Sequence, residues 1–379
     1  MPEHVADFEW RGEGEDAEVV LYAPDSTVAA AAFEQALPAT RLPGVISPIY
    51  AAASSHVQVL PDASRGFGLV AASETHAAPD LVSAPEWGLL LVADALVEDV
   101  GTPEEAPRLI GRGLSEVALP SIGGAEVRKA AESGALWAAE EGLIDEEDLP
   151  LFAVEAGDAD ALGRRALAAG TRDWTRPGSV RPFRVTEILD SEGAEALGLE
   201  PGVLALVVSV GAEDLGRLAL AAHRERILAR VSNEVFGAPI DLLAAPTGIE
   251  EARDLLEDLF AATYATANYA AGRAALIVYA LRRTLEDVGA LRLRAAWTVG
   301  GFEKRDGMVF HRDGLATAGD GEVLVSGRNV AAGTGGMLES APPFGIAEEG
   351  DRWPWEEAGI LVRWAILEPL GKRSGEAGG

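Results

Sequence analysis

The helical pattern that runs from residue 247 to about residue 288 is the longest in the chain and limits what the chain can fold into. Apolar side chains recur in it at helical spacing from Leu255 onwards. Thr247 and Glu250 have the spacing of a capping box, which predicts that the helix begins there. Because the pattern exceeds the roughly 8–20 residues of most globular helices, we predict a break near Gly272.

Shorter helical patterns alternate with apolar runs of strand length over the rest of the chain. The clearest strand patterns are Glu18–Tyr22, Gly88–Ala95 and Val203–Val210. The clearest further helices are Thr27–Leu37, Ala125–Glu141 and Asp160–Ala169. No internal repeat or low-complexity linker divides the sequence. We therefore predict a single large mixed α/β domain of the α+β class, residues 1–372, with mixed sheets and surrounding helices, followed by a disordered polar tail, residues 373–379.

The charge of the chain is strongly negative, with 31 Lys+Arg against 61 Asp+Glu and a formal net charge of −30. Such a chain repels a phosphate backbone at long range, which makes nucleic acid a doubtful partner. A local groove lined by arginine side chains remains compatible with RNA binding. Acidic runs such as Glu146–Asp148 are expected to lie on solvated faces. The sequence does not separate function from habitat or genome composition as the cause of this acidity.

Membrane association and export are not indicated by the sequence. No apolar run reaches the roughly 18 residues that a membrane-spanning helix needs. The first eleven residues are acidic and lack the apolar core of a signal peptide. The chain has no cysteine, so it forms neither disulfides nor thiolate metal sites. We therefore expect a cytoplasmic protein that does not bind membranes.

A histidine–arginine pair, His311 and Arg312, is the most conspicuous candidate site. It precedes a short apolar strand and the glycine-rich loop Gly333–Gly336, whose backbone N–H groups can approach a phosphate closely. His311 has two interpretations. It can be a nucleophile for nucleotidyl transfer, or it can be a structural residue that fixes a turn, and we favour the structural role.

Seven short segments, spread in order over nearly the whole chain, carry a resemblance to one family. They are Leu42–Val45; Pro61–Gly68; Trp137 with Gly142, Glu147–Pro150 and Arg165–Ala166; Ala196–Gly202; Ala267–Arg273; His311–Gly314; and Leu367–Gly371. In this order they resemble the motifs of the RtcB-type RNA-splicing ligases. Members of that family join an RNA 2′,3′-cyclic phosphate or 3′-phosphate end to a 5′-hydroxyl end, with GTP and manganese, through a guanylylated histidine.

The resemblance implies a role for each matching residue. His311 stands at the position of the guanylylated histidine, and Arg312, Asn268, Arg273 and Lys372 stand near positions that bind the nucleotide. Asn268 and Arg273 are separated by about 140° around a helix, so they do not share one face. The resemblance thus predicts that these four residues bind the cofactor, with Asn268 and Arg273 acting from different faces of one helix.

The positions that bind metal in the family carry other residues in this chain. Leu90–Ala93 stands in place of a segment with an acidic and a thiolate ligand, and Val180–Phe183 in place of one with asparagine and histidine. Ser209 and Trp297 stand where the family has histidines. Manganese needs carboxylate, imidazole or thiolate ligands, and these replacements supply none. We therefore predict no metal site.

Three functional hypotheses follow. The favoured one is an RtcB-like protein that has lost manganese-dependent catalysis, needs no cofactor, and retains the scaffold to bind a nucleotide or phosphate, to bind a protein partner, or to serve structurally. The alternative is an active ligase that uses GTP and Mn²⁺ through a guanylylated His311. The third is a purely structural protein whose pocket is filled by Trp87, Leu90 and Trp297.

Overall fold

The structure is a computed structural model, and it describes most of the chain up to residue 313 and short pieces beyond. The described residues are 2–6, 9–23, 26–53, 67–120, 122–152, 157–174, 176, 178–188, 191–231, 242–305, 307–313, 316–317, 323–324, 346–348 and 365–370. Four predicted features lie outside them: the segment Pro61–Gly66, the loop Gly333–Gly336, Lys372 and the tail 373–379.

Within the described residues the strands are β1 (Glu3–Ala6), β2 (Glu9–Glu13), β3 (Glu18–Tyr22), β4 (Val45–Ala53), β5 (Phe67–Ser73), β6 (His76–Ala77), β7 (Glu86–Leu96), β8 (Ser179–Ile188), β9 (Val203–Gly211), β10 (Ala245–Pro246), β11 (Leu291–Val299), β12 (Gly301–Arg305), β13 (Met308–Asp313), β14 (Ala316–Thr317), β15 (Val323–Leu324), β16 (Ile346–Glu348) and β17 (Ala365–Pro369). The α-helices are α1 (Ser26–Ala36), α2 (Val97–Val100), α3 (Ala106–Glu116), α4 (Gly124–Ser133), α5 (Ala135–Glu140), α6 (Ala159–Asp173), α7 (Ser191–Leu197), α8 (Glu213–Val231) and α9 (Glu250–Thr284). Three 3₁₀ helices cover Leu37–Arg41, Pro79–Leu81 and Glu146–Leu151.

Two large mixed sheets organise these elements. The first sheet has the strand order β1-β2-β3-β4-β5-β13-β12, and only β3 and β4 run parallel within it. The second has the order β11-β7-β9-β8-β17-β16, with one parallel pair, β16 and β17. Two-stranded sheets join β10 to β6 and β14 to β15. The predicted α+β class, with mixed sheets and surrounding helices, is confirmed.

The main hydrophobic core lies between the second sheet and the helices α4, α5, α6 and α9. Alternate residues of β7 divide between the two faces of this sheet. Trp87, Leu89 and Leu91 pack into the helical core, whereas Leu90 and Val92 pack into a separate cluster on the opposite face. Burial on both faces explains why β7 is a continuous apolar run without alternation.

The long helical pattern forms one continuous helix, α9, and the predicted break at Gly272 is wrong. A Cβ atom at Gly272 would lie 3.2 Å from both Trp174 Cη2 and Ala130 Cβ. The glycine therefore allows α9 to pack closely against these two residues without interrupting the helix. The predicted capping box is also wrong. The residue before the helix is Ile249, and the hydroxyl of Thr247 donates to the carbonyl of Glu74 instead.

Two other predictions need correction. The helix predicted over Ala125–Glu141 is divided into α4 and α5 at Gly134, whose φ of 56° is in the left-handed region that favours glycine. The acidic run Glu146–Asp148 is not wholly solvated, because Asp148 is buried. Its carboxylate accepts two hydrogen bonds from Arg282 of α9, at 2.7 and 3.1 Å.

Within the described ranges, none of the helices is both long and apolar enough to cross a membrane.

Candidate functional site

His311 lies in β13 and its side chain is completely buried. Its Nε2 atom lies 2.9 Å from the backbone nitrogen of Ala78, and its Nδ1 atom lies 3.2 Å from the carbonyl oxygen of Ala71. A backbone N–H can only donate, so Nε2 carries the lone pair and Nδ1 carries the proton. Both ring nitrogens of His311 are therefore engaged by the backbone.

The surroundings of His311 are apolar. Its ring contacts Phe302 edge-on, with 5.3 Å between the ring centroids, and Phe302 contacts Phe260 of α9 in the same manner at 5.4 Å. Burial lowers the pKa of His311 from 6.5 to about 4, although hydrogen bonds to the backbone of Ala71 and Val309 act in the opposite direction. The imidazole is consequently neutral at neutral pH, and no lone pair of the ring faces solvent.

Arg312 follows His311 on β13 and points to the opposite face, because successive side chains of a strand alternate. Its side chain is largely buried, and its Nη1 atom lies 3.5 Å from Glu303 Oε2 on the neighbouring strand β12. Glu303 therefore neutralises the positive charge of Arg312 that would otherwise be available to bind a phosphate.

Asn268 is buried in α9 and binds the end of another helix. Its Nδ2 group donates to the carbonyl of Glu132, 3.1 Å away, in the last turn of α4. The last carbonyl groups of a helix lack partners within the helix. Asn268 thus supplies a donor where Gly134 divides α4 from α5.

Arg273 is also buried, with 1% of its side chain exposed, and it joins three parts of the chain. Its guanidinium donates to the carbonyl of Gly211 at the end of β9 and, over 2.8 Å, to the carbonyl of Arg176. Nη1 also lies 3.5 Å from the carboxylate of Glu213. Arg273 and Asn268 contact different elements, as their angular separation around the helix leads one to expect.

The strand registers of the second sheet place four of the family-related positions on one face. Ser209 and Trp297 are both paired with Gly88, which lies two residues before Leu90 on the same strand. Leu90 and Arg181 share a partner on β9. Directly paired residues point to the same side of a sheet. Leu90, Ser209 and Trp297, where the resemblance implies metal ligands, therefore share a face with Arg181, where it implies a nucleotide-binding asparagine. Pro182, where it implies a further histidine ligand, pairs with Leu206 of the helical core and points to the opposite face, as does Ala93 at the thiolate position.

Apolar side chains occupy most of this face. Leu90 and Phe183 are fully buried in a cluster that Trp297 covers in part. Arg181 lies over the Phe183 ring, with its Cζ atom 5.3 Å from the ring centroid. Trp87, which we expected to fill the same pocket, lies on the other face, where its indole N–H donates to Ala267 over 2.9 Å. That expectation is wrong for Trp87.

Sequence reasoning missed the polar groups at the end of β9. The hydroxyl of Ser209 donates to the carboxylate of Glu86, which is buried and 123 residues away in the sequence. Glu213 has a positive φ of 49°, which is unusual for a residue other than glycine. A contact over such a sequence separation, and a backbone angle of this kind, leave no pattern in the sequence.

The donor set on this face does not fit manganese. Leu90 and Trp297 offer no ligand atom, Ser209 offers only a hydroxyl, and the carboxylate of Glu86 on this face already accepts a hydrogen bond from Ser209. In the part of the chain that the structure describes, no group of three or more histidine and acidic side chains could hold a metal ion.

Replacing Gly88 by alanine is expected to lower the free energy of unfolding by about 1–3 kcal/mol. The new Cβ atom would lie 2.1 Å from Cε2 of Trp297, so the indole must move. The same substitution should cost less in a Trp297→Leu background, and urea unfolding of all four proteins measures this coupling.

Gly111→Ala in α3 is the matched control, because an added Cβ atom meets nothing within 4 Å there. We expect it to be neutral or slightly stabilising. An equal cost of Gly88→Ala with tryptophan and with leucine at position 297 would contradict the proposed clash.

Comparison with known proteins gives one similarity and no family assignment. No family model matches the chain. The chain is 30% identical over 166 residues to the tRNA-splicing ligase RtcB of Pyrococcus furiosus. The alignment covers 41% of this chain and 16% of the length of that ligase. It supports a distant relationship to this ligase, in agreement with the resemblance of the sequence motifs.

Proposed function

We propose that this chain is a noncatalytic relative of the RtcB ligases, which keeps an RNA-ligase-like scaffold for a structural or binding role. The observation that carries the proposal is the state of His311. Its side chain is completely buried, and its only lone pair accepts a hydrogen bond from the backbone N–H of Ala78. This histidine holds the connection after β6 against β13.

Nucleotidyl transfer to a histidine needs an imidazole lone pair that can reach the α-phosphorus atom. It also needs cationic groups that neutralise charge on the phosphates. His311 meets the first need only if it breaks two backbone contacts, and Arg312 beside it already faces Glu303. The sheet face that would have to hold a metal is filled largely by Leu90, Phe183 and Trp297.

Incubation of the purified protein with labelled GTP and Mn²⁺ tests the proposal, with the Pyrococcus ligase as positive control. We expect label on the control and none on this protein. A covalent guanylate that disappears in His311→Gln, in a variant whose circular dichroism shows that it is folded, would overturn the proposal.

A binding measurement on the same protein distinguishes a role in nucleotide binding from a structural role or a role in binding a protein partner. Equilibrium dialysis with labelled GTP, without manganese, reports noncovalent binding. We expect no binding at micromolar concentrations, because apolar side chains cover the face near Leu90 and Trp297, which favours a structural role or a protein partner. Saturable binding would instead show that the scaffold binds a nucleotide. The proposal that catalysis has been lost would then still stand.

A further inference from the structure

His223 lies where three helices meet and takes part in a polar chain that joins them. It belongs to α8 and is 3% exposed. Its Nε2 atom lies 2.9 Å from the carbonyl oxygen of Ala161 in α6, and its Nδ1 atom lies 3.4 Å from Nη1 of Arg226. The other terminal nitrogen of Arg226 lies 2.7 Å from the carboxylate of Asp258 in α9.

The proton position on His223 follows from these partners. A guanidinium can only donate, so Nδ1 must accept, and a carbonyl can only accept, so Nε2 must donate. The polar chain is complete only when the imidazole is neutral.

The part of α6 that His223 contacts is separate from the rest of that helix. Gly163 has φ 78° and ψ 156°, which are not helical angles, and they divide α6 into a first turn and a main segment. Ala161 lies in the first turn. His223 therefore holds a short turn, residues 159–162, and not the main part of α6.

We propose that His223 is an acid-sensitive switch: the neutral ring joins α6 to α8 and α9, and protonation separates it from Arg226 and so breaks the link between α6 and the Arg226–Asp258 pair. The bond from Nε2–H to Ala161 survives protonation, because that nitrogen donates in both forms of the ring. Protonation places a second N–H donor and a positive charge against the guanidinium of Arg226. The charged groups that act on the ring are Arg226 from its own helix and Asp258 from α9, while α6 contributes the Ala161 carbonyl. Asp258 lies on the far side of Arg226 and is half-exposed.

The direction of the effect follows from the pKa. Burial, and to a lesser degree Arg226, lower the pKa of His223 below its ordinary value of 6.5, while the Ala161 carbonyl and Asp258 act in the opposite direction. The neutral form is therefore favoured in the folded protein. The contact with Arg226 is complete above pH 6.5 and is lost as the pH falls through the lowered pKa.

Hydrogen exchange of the full chain between about pH 7.5 and about pH 5 tests this switch. We expect protection factors, corrected for intrinsic exchange, to fall with pH around His223 and Arg226 and to change little in residues 159–162, whose bond to the ring survives protonation. In His223→Gln, whose side-chain amide can still donate to Ala161, protection around positions 223 and 226 should not depend on pH. The same pH response in both proteins would overturn the proposal.

A second variant keeps the test decisive if His223→Gln does not fold. Arg226→Met removes the cation that opposes protonation and lies on the surface, so the fold should tolerate it. We expect the pKa of His223, measured by NMR, to rise in this variant and the loss of protection around His223 to diminish. An unchanged pKa together with an unchanged loss of protection would show that Arg226 and His223 are not coupled.

Discussion

Replacing Arg273 by methionine is expected to lower the free energy of unfolding by about 3–5 kcal/mol. Methionine keeps much of the side-chain volume but donates no hydrogen bond. The carbonyl groups of Gly211 and Arg176 would lose their donor in a buried region, and Glu213 would lose its cation. Urea unfolding followed by circular dichroism measures the change.

Arg217→Met is the matched control for this substitution. Arg217 pairs with Asp214 at 2.8 Å on the same face of α8, but its side chain is 68% exposed. An exposed ion pair contributes less than about 1 kcal/mol. If Arg273, for which the resemblance implies nucleotide binding, had little structural role, both variants would be nearly as stable as the unmodified protein. That result would contradict the structural role that the buried contacts assign to Arg273.

Acidification is expected to remove about 3 kcal/mol of stability through His311 alone. The pKa of the ring is 6.5 in the unfolded chain and about 4 in the folded protein. The unfolded state therefore binds the proton first as the pH falls. Stability from this group is complete above pH 6.5, decreases as the pH falls towards 4, and is constant below that.

Comparison of the unmodified protein with His311→Phe isolates this contribution from that of the carboxylates. Phenylalanine does not titrate, so the free energy of unfolding of the variant should fall less steeply between about pH 6.5 and about pH 4. The variant should also be less stable at neutral pH, because Ala78 and Ala71 lose their side-chain partner. Parallel pH profiles of the two proteins would show that His311 does not carry a lowered pKa.

The local elements of this fold could be predicted where the sequence pattern is long or strongly apolar. The strand Glu18–Tyr22 is found with the predicted bounds, and β7, β9 and α9 differ from prediction by a few residues. Hydrophobic periodicity works in these places because each element buries a large apolar surface. Gly134 and Gly272 show its limit. Both are single glycines within a helical pattern, but Gly134, with φ 56°, ends α4, whereas Gly272 stays inside α9 and lies against Ala130 and Trp174.

The candidate site was predictable in its positions but not in its contacts. The motif order led to His311, and the register of the second sheet does bring Leu90, Ser209 and Trp297 together. No sequence pattern shows that the His311 ring is held by Ala71 and Ala78, more than 230 residues away. Likewise, β7 reads as one apolar run, and only strand pairing shows that Trp87 and Leu90 face opposite sides.

The order of strands in the two sheets has a consequence for how the chain is made. The first sheet receives β13 and β12 only after β7, β8, β9 and β11 of the second sheet have been synthesised. A nascent chain that has reached residue 300 therefore presents β5 as an unpaired edge, which is a site for aggregation. Pairing over such distances along the chain also slows folding. If the chain were expressed as two fragments divided near residue 240, neither large sheet would be complete until the two fragments had associated. The need for chaperones should be greatest late in translation.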